Sequence, residues 1–258
     1  MRDTKMHKRS PLKQKPLRNP GESVQEDIQR VLEGQMLPLA LLATLAIIVA
    51  LDHWWRHFAP RPPQPIWATL IATVVVAYCG YRYVGLRKRL TSLQLGLAGE
   101  KTIGQFLEAN RSKHSLVFHD IPCNGFNIDH VVIAPQGVFA IETKTFSKPL
   151  RGETVVEYDG ERILVDGFEP DRNPITQARA VRNWLREFLH DSTRMDYPVK
   201  GVVLLPGWYV ESPKDGRPID IWVLNEKAFF KFVEHESVVL SDQDIAWASE
   251  RLTAFVAR

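Results

Sequence analysis

The sequence predicts a mixed α/β domain, its sheet covered by helices, preceded by two membrane-spanning helices. Three observations lead there. Two long apolar runs occupy the first third of the chain. Helical and strand periods alternate from Leu95 onward. Charge also divides along the chain: residues 1–89 carry 14 Lys and Arg against 6 Asp and Glu, whereas residues 90–258 carry 19 against 24, a net of −5. At 258 residues the chain is long enough for one or two domains, and its 45% hydrophobic and 24% charged content is that of a folded protein. Its two cysteines exclude a disulfide framework and a four-cysteine zinc site.

The apolar runs are Met36–Leu51, interrupted by Pro38 and Thr44, and Ile66–Tyr81. Each is 16 residues, roughly 24 Å of helix, and the flanks extend them toward the ~20 residues of a span. Trp54, Trp55, Trp67, Tyr78, Tyr81 and Tyr83 stand where interface-seeking aromatics belong. A signal peptide fits poorly, because the first run begins after 35 residues and a second follows. Buried core helices are the other alternative. Basic residues Arg2, Lys5, Lys8, Arg9, Lys13, Lys15, Arg18 and Arg30 precede the hairpin, and Arg82, Arg87, Lys88 and Arg89 follow it. The connecting loop has only Arg56 and Arg61, with Pro60, Pro62, Pro63 and Pro65. The positive-inside tendency puts both termini in the cytoplasm of a multi-pass protein of the cell (inner) membrane. The expected division is a basic, largely disordered cytoplasmic leader at 1–35, a transmembrane hairpin at 36–84 and a folded domain at 90–258. Cys79 in a span and Cys123 in the cytoplasm should stay reduced.

Within the domain, Leu97, Ile103, Phe106 and Leu107 give a helix over Leu95–Asn110. Strands are expected at Ser115–Phe118 and Phe126–Ala134, then at Val138–Lys144 after a Pro135-Gln136-Gly137 turn. Asp159-Gly160 marks a hairpin between Thr154–Tyr158 and Arg162–Val165. A helix over Pro174–His190, strands at Gly201–Pro206 and Asp220–Leu224, and helices at Glu226–Glu234 and Asp242–Ala257 complete the pattern. Gly152, Gly160 and Gly167 read as turn glycines, without phosphate-loop spacing.

The residues with chemistry are Glu100, Asp129, Glu142 and Lys144. Alternation along a strand projects Glu142 and Lys144 together, with Thr143 on the other face. Antiparallel pairing across the tight turn brings Asp129 near Glu142. Two such carboxylates with a backbone carbonyl form a hard oxygen site suited to Mg²⁺ or Mn²⁺, and an adjacent lysine can orient a water or stabilise charge on a phosphorane. The bland alternative is a solvated edge strand with one ion pair. Against it, Val131-Val132-Ile133-Ala134 and Val138-Phe139-Ala140-Ile141 are apolar on both faces, as in central strands, where an unpaired charge is costly.

Four motifs carry a resemblance: Gly96-Leu97-Ala98-Gly99-Glu100, Asn127-Ile128-Asp129-His130-Val131-Val132, Gly137-Val138-Phe139-Ala140-Ile141-Glu142-Thr143-Lys144, and Asn173-Pro174-Ile175-Thr176-Gln177. In this order they resemble the nuclease-related domain (NERD) family over about Gly96–Leu189. That family is similar to the PD-(D/E)xK superfamily with its restriction-endonuclease-like core. The resemblance implies a mixed sheet flanked by helices, with Asp129 and Glu142 as metal ligands and Lys144 as catalytic lysine. It matches Glu100 to the acidic residue of the first helix and Gln177 to the polar residue opening a later one. It implies a divalent metal, Mg²⁺ or Mn²⁺, and a nucleic-acid substrate, DNA ahead of RNA. Where the family often has Asn or Gly soon after the lysine, this chain has Thr145-Phe146-Ser147.

His130 is expected as a packed, hydrogen-bonded histidine rather than a support for a ligand, and Trp184 as core packing. Arg179, Arg182 and Arg186 share one helix face and are candidates to grip a phosphate backbone, or form a plain solvated face. The expected function is a membrane-anchored, Mg²⁺-dependent endonuclease. The alternative is a noncatalytic module that tethers nucleic acid or protein at the membrane, favoured by the acidic domain charge.

Overall fold

The computed structural model describes residues 18–58, 65–147, 155–170, 172–211 and 219–257. The leader before Arg18, the loop residues Pro60, Arg61, Pro62 and Pro63, the Gly152 turn and Thr154 lie outside the described residues. The chain divides into two compact units. One holds Gly21–Gly99 with Thr145–Ser147, the other Met1–Pro20, Glu100–Lys144 and Lys148–Arg258.

In the first unit, helix α1 spans Glu22–Val31, a π-helical turn Leu32–Met36, α2 Leu37–His57, and α3 begins at Pro65 and runs to Asn110. Helix α1 extends regular structure into the expected leader. Glu22 in its first turn and Arg30 in its last complement the helix dipole, while Ile28 and Val31 are buried. The π turn has a local cause. Pro38 lacks an N–H, and its ring would collide with the carbonyl of Gly34 in a regular helix, so the widened turn carries the chain past it. Leu41, Leu45, Leu51, Ile66, Ile71 and Val74 are each more than half exposed, which rules against a buried protein core for these helices. Trp54 Nε1 donates to Thr69 Oγ1 at 3.0 Å, joining α2 to α3. The two helices are long and apolar enough to cross a membrane.

The second apolar run and the expected helix at Leu95 are one helix, not two. No proline interrupts α3, and Gly80, Gly85, Gly96 and Gly99 each weaken it by only about 1 kcal/mol relative to alanine.

The second unit is the mixed α/β domain that the sequence predicts. Strands β1 (Leu116–Pro122), β2 (Asn127–Ala134), β3 (Gly137–Thr143), β6 (Val199–Leu204) and β8 (Ile221–Leu224) form a five-stranded sheet in the order β1-β2-β3-β6-β8. The first three are antiparallel neighbours, joined between β2 and β3 by a two-residue turn at Pro135-Gln136. The last two run parallel to β3. Helix α4 (Pro174–Thr193) and α6 (Asp242–Val256) cover one face through Val181, Leu185, Ile245 and Leu252. Ile103 and Leu107 of α3, with Phe229 and Val233 of α5 (Glu226–His235), cover the other. Each of the fully buried aliphatic side chains contributes about 1.5–3 kcal/mol, so the two-sided burial of β2 and β3 fixes their register. Gly201 lets α4 lie close on β6: a Cβ there would sit 2.5 Å from Ile221 Cδ1 and 3.1 Å from the Ala178 carbonyl.

A smaller sheet orders β5 (Ile163–Val165), β4 (Val155–Tyr158) and β7 (Tyr209–Glu211). The hairpin at Asp159-Gly160 forms as expected, with Asp159 Oδ1 accepting from Glu161 N at 2.8 Å and Arg162 N at 2.6 Å. Strand β7 was not expected. Its three residues are too short to show a period. Tyr158 Oη donates to the Ile221 carbonyl at 2.7 Å and ties this sheet to β8.

Candidate active site

Asp129, Glu142 and Lys144 come together at one end of the main sheet, at the C-terminal ends of its parallel strands. The β2–β3 ladder pairs His130 with Ile141. Continuing that register sets Asp129 opposite Glu142. Asp129 Oδ2 accepts from Thr143 N at 2.6 Å, which pins the carboxylate to the end of β3. Strand alternation carries Asp129 on from the Val131–Ile133 row and Glu142 on from the Val138–Ala140 row, the rows covered by α4 and α6. Lys144 N donates to the Leu204 carbonyl at 3.0 Å, so β6 holds the backbone on which the lysine sits.

Glu142 is buried, and Lys144 Nζ lies 2.8 Å from its Oε1. The ion pair weighed as the bland alternative therefore exists, but β3 is the central strand rather than an edge. Glu100 arrives from α3. Burial pushes its carboxyl up to about 7, repulsion from Asp120 and then Glu142 adds to that, and Lys144 opposes it. Burial also holds Asp129 well above the usual carboxylate range, with Glu142 and Glu100 repelling it, while the Thr143 N–H and Lys144 pull the other way. Three carboxylates thus share one small region with one ammonium.

Asn173 Oδ1 accepts from Ile175 N at 2.9 Å and caps α4, with Pro174 in its first position. That start fixes Gln177 one turn into a helix that packs on β3 and β6. Gln177 Oε1 is buried without a hydrogen-bond partner among the described residues, an unmet acceptor in the first turn of α4. Gly99 precedes Glu100 for a steric reason. A Cβ there would fall 1.7 Å from Thr145 Oγ1, so glycine lets the helix pass the residue that follows Lys144.

The donors are hard oxygens, and they suit a divalent cation of the Mg²⁺ class. Asp129 keeps one oxygen beyond its Thr143 bond, and Glu142 keeps one beyond its lysine. Among the described residues no three His, Cys, Asp or Glu side chains form a ready coordination shell. Two carboxylates with water and substrate oxygens is the arrangement Mg²⁺ tolerates, because it gives up its waters reluctantly.

Sequence reasoning passed over Asp120. It is buried on β1 with φ 47°, takes Arg18 Nε at 2.7 Å, and accepts from Asn127 Nδ2 at 3.3 Å. A carboxylate within Val117-Phe118-His119-Asp120-Ile121 was the available signal. Arg18, assigned to topology from the sequence, is instead an ion-pair partner of this domain. His130 is fully buried as expected, its Nδ1 2.9 Å from His119 Nδ1, and His119 Nε2 lies 3.3 Å from Glu108 Oε1. Burial holds both imidazoles below the ordinary value. His119 deepens the shift for His130, and Glu108 opposes that of His119.

The three arginines do not act alike. Arg179 Nε pairs with Asp220 Oδ2 at 2.9 Å, and Arg182 pairs with the other Asp220 oxygen. Burial would raise Asp220, but the hydrogen bonds from both arginines outweigh it and hold it low. Arg186 is exposed and unpaired among the described residues. Trp184 packs as expected, stacked on Phe188 at 5.3 Å and against Phe126 and Phe255.

Neither the curated proteins nor the solved structures give a match to this chain. Residues 95–206, which contain Glu100, Asp129, Glu142, Lys144 and Gln177, match the family model of the nuclease-related domain (NERD).

Proposed function

We propose that the protein is a membrane-anchored, divalent-metal-dependent endonuclease that hydrolyses phosphodiester bonds of nucleic acid, DNA before RNA, on the cytoplasmic side of the cell membrane. The observation that carries this reading is the crowding of Glu100, Asp129 and Glu142 around Lys144. Burial and mutual repulsion raise two of these carboxyls, and a cation is what such a cluster lacks. A divalent cation held by Asp129 and Glu142 would supply charge neutralisation and a bound water of lowered pKa. Glu142 positions the Lys144 ammonium, which can donate to an attacking water or to a phosphate oxygen as charge builds. Glu100, near 7, can hold or release a proton at neutral pH. Gln177 offers its unmet carbonyl oxygen to a water. Arg186 gives a phosphate contact free of internal pairing.

One observation favours the noncatalytic alternative: Asp220 already neutralises Arg179 and Arg182, which leaves less positive charge to hold a duplex. The deciding experiment incubates full-length protein in detergent with plasmid and single-stranded DNA, with Mg²⁺ or with EDTA, beside Glu142→Gln. Metal-dependent cleavage by wild type and none by the variant is expected. DNA retention without cleavage under any metal condition would move the assignment to the tethering module.

A further inference from the structure

A cavity of about 620 Å³ lies in the hairpin unit, lined by Gln35 of the π turn and by Gly80, Tyr81, Arg82, Val84, Gly85, Leu86, Lys88 and Arg89 of α3. Three cations share it. Arg82, Lys88 and Arg89 have no ion pair or hydrogen bond to another described side chain. No acidic residue occurs between Asp52 and Glu100 to neutralise them. The glycines do not serve internal packing, because a Cβ on Gly80 or Gly85 would meet nothing within 4 Å. They leave the cavity wall open. The π turn, a rare insertion in a helix, brings the polar Gln35 to the same wall.

The position along α3 narrows the ligand. The apolar run ends at Tyr81, and Arg82 to Arg89 covers about 10 Å of helix. The headgroup layer is roughly 5–7 Å deep on each side of a hydrocarbon core of about 30 Å, so Arg82, one residue past the apolar run, stands within it, and Lys88 and Arg89 stand at its outer edge. Tyr81 and Val84 stay exposed beside the cations, so apolar and basic surface meet at one place.

We infer that this cavity binds the phosphate of an anionic phospholipid, with Arg82, Lys88 and Arg89 on the headgroup and Tyr81 and Val84 against the acyl chains. The inference rests on the reading of α2 and α3 as membrane spans. A soluble phosphate or a nucleic-acid backbone offers the same anion without the acyl chains, so the lipid is distinguished by its apolar contacts.

The test uses full-length protein in dodecyl maltoside and counts retained lipid by native mass spectrometry. The probes are dioleoylphosphatidylglycerol, dioleoylphosphatidylcholine, inorganic phosphate and a single-stranded oligonucleotide. Wild type should retain phosphatidylglycerol over phosphatidylcholine. The double variant Arg82→Gln/Arg89→Gln should weaken that retention about thirtyfold, at about fivefold for each basic residue removed. A Cβ at Gly85 meets nothing within 4 Å, so Gly85→Leu projects its side chain into the cavity and should abolish retention while the helical circular dichroism stays unchanged. Arg87→Gln removes the same charge from the same turn but lies outside the cavity, so it should change retention by less than about twofold, short of the full cost of one charge. Equal losses from Arg87→Gln and Arg82→Gln would overturn the site in favour of general surface charge. Wild-type retention by Gly85→Leu would overturn it as well. Inorganic phosphate or oligonucleotide binding as tightly, with the same variant dependence, would replace the lipid by a soluble anion. Alkaline carbonate extraction of native membranes tests the spans separately: release into the supernatant defeats the membrane reading itself, whatever the lipid result.

Discussion

Replacing Glu100 by glutamine should stabilise the metal-free protein at alkaline pH and change little in acid. The Glu100 carboxyl rises from 4.5 to about 7 on folding. Between those values the native state keeps a proton that the unfolded chain has lost. Its stabilising effect is therefore complete below 4.5 and lost as pH rises through about 7. A difference of about 2.5 units at about 1.4 kcal/mol each makes ionised Glu100 cost about 3.5 kcal/mol. Glutamine has the shape of the protonated acid and never ionises. In EDTA at about pH 8, Glu100→Gln should melt roughly 7–14 °C above wild type, from 2–4 °C per kcal/mol for a domain of this size. At about pH 4.5 the two should coincide. Intrinsic tryptophan fluorescence of the full-length protein in detergent reads the transition, and added Mg²⁺ should shrink the gap by raising wild type more than the variant. A variant that melts below wild type at alkaline pH in EDTA would refute the repulsion argument, because Glu100 would then be a net stabilising partner of Lys144.

Lys144→Met should leave Mn²⁺ binding in place and lower single-turnover cleavage of labelled DNA at least about 100-fold, the loss typical of a donor that acts on developing charge; equal cleavage would remove the lysine from the chemistry. Arg186→Gln should weaken DNA retention and reduce the slope of log K against log salt by about 1, whereas Arg179→Gln should reduce it less because Asp220 already occupies that guanidinium. His119 and His130 sit below their ordinary value of 6.5 when folded, so the stability they contribute is present above 6.5 and is lost as pH falls through their lower folded values. His130→Phe should flatten that acid limb in a series of melts, and an unchanged limb would assign acid sensitivity elsewhere.

The sequence carried the sheet and the three carboxylates because their signals are local. Alternation on either side of Pro135-Gln136-Gly137 sets a two-residue hairpin, and that hairpin fixes the Asp129–Glu142 register. Asn173-Pro174 signals a helix start, which puts Gln177 in the first turn. What the sequence hid depends on distance along the chain. Arg18 and Asp120 are 102 positions apart, and no spacing rule connects them. Asp220 lies 38 positions from Arg182, so a helix face that reads as free proves to be partly neutralised. The π turn was likewise invisible, although Pro38 in an apolar run was its cue. The merging of the second apolar run with the Leu95 helix followed from missing stop signals, which are harder to read than present ones.

The measurement closest to the central claim is a calorimetric titration of Mn²⁺ into the full-length protein, compared with Asp129→Asn and Glu142→Gln. Wild type should bind one ion with a saturable heat, and both variants should lose that heat while melting no lower than wild type in EDTA, since each removes one of the crowded charges. Absence of heat with wild type, or the same binding curve in wild type and both variants, would contradict a metal centre at Asp129 and Glu142.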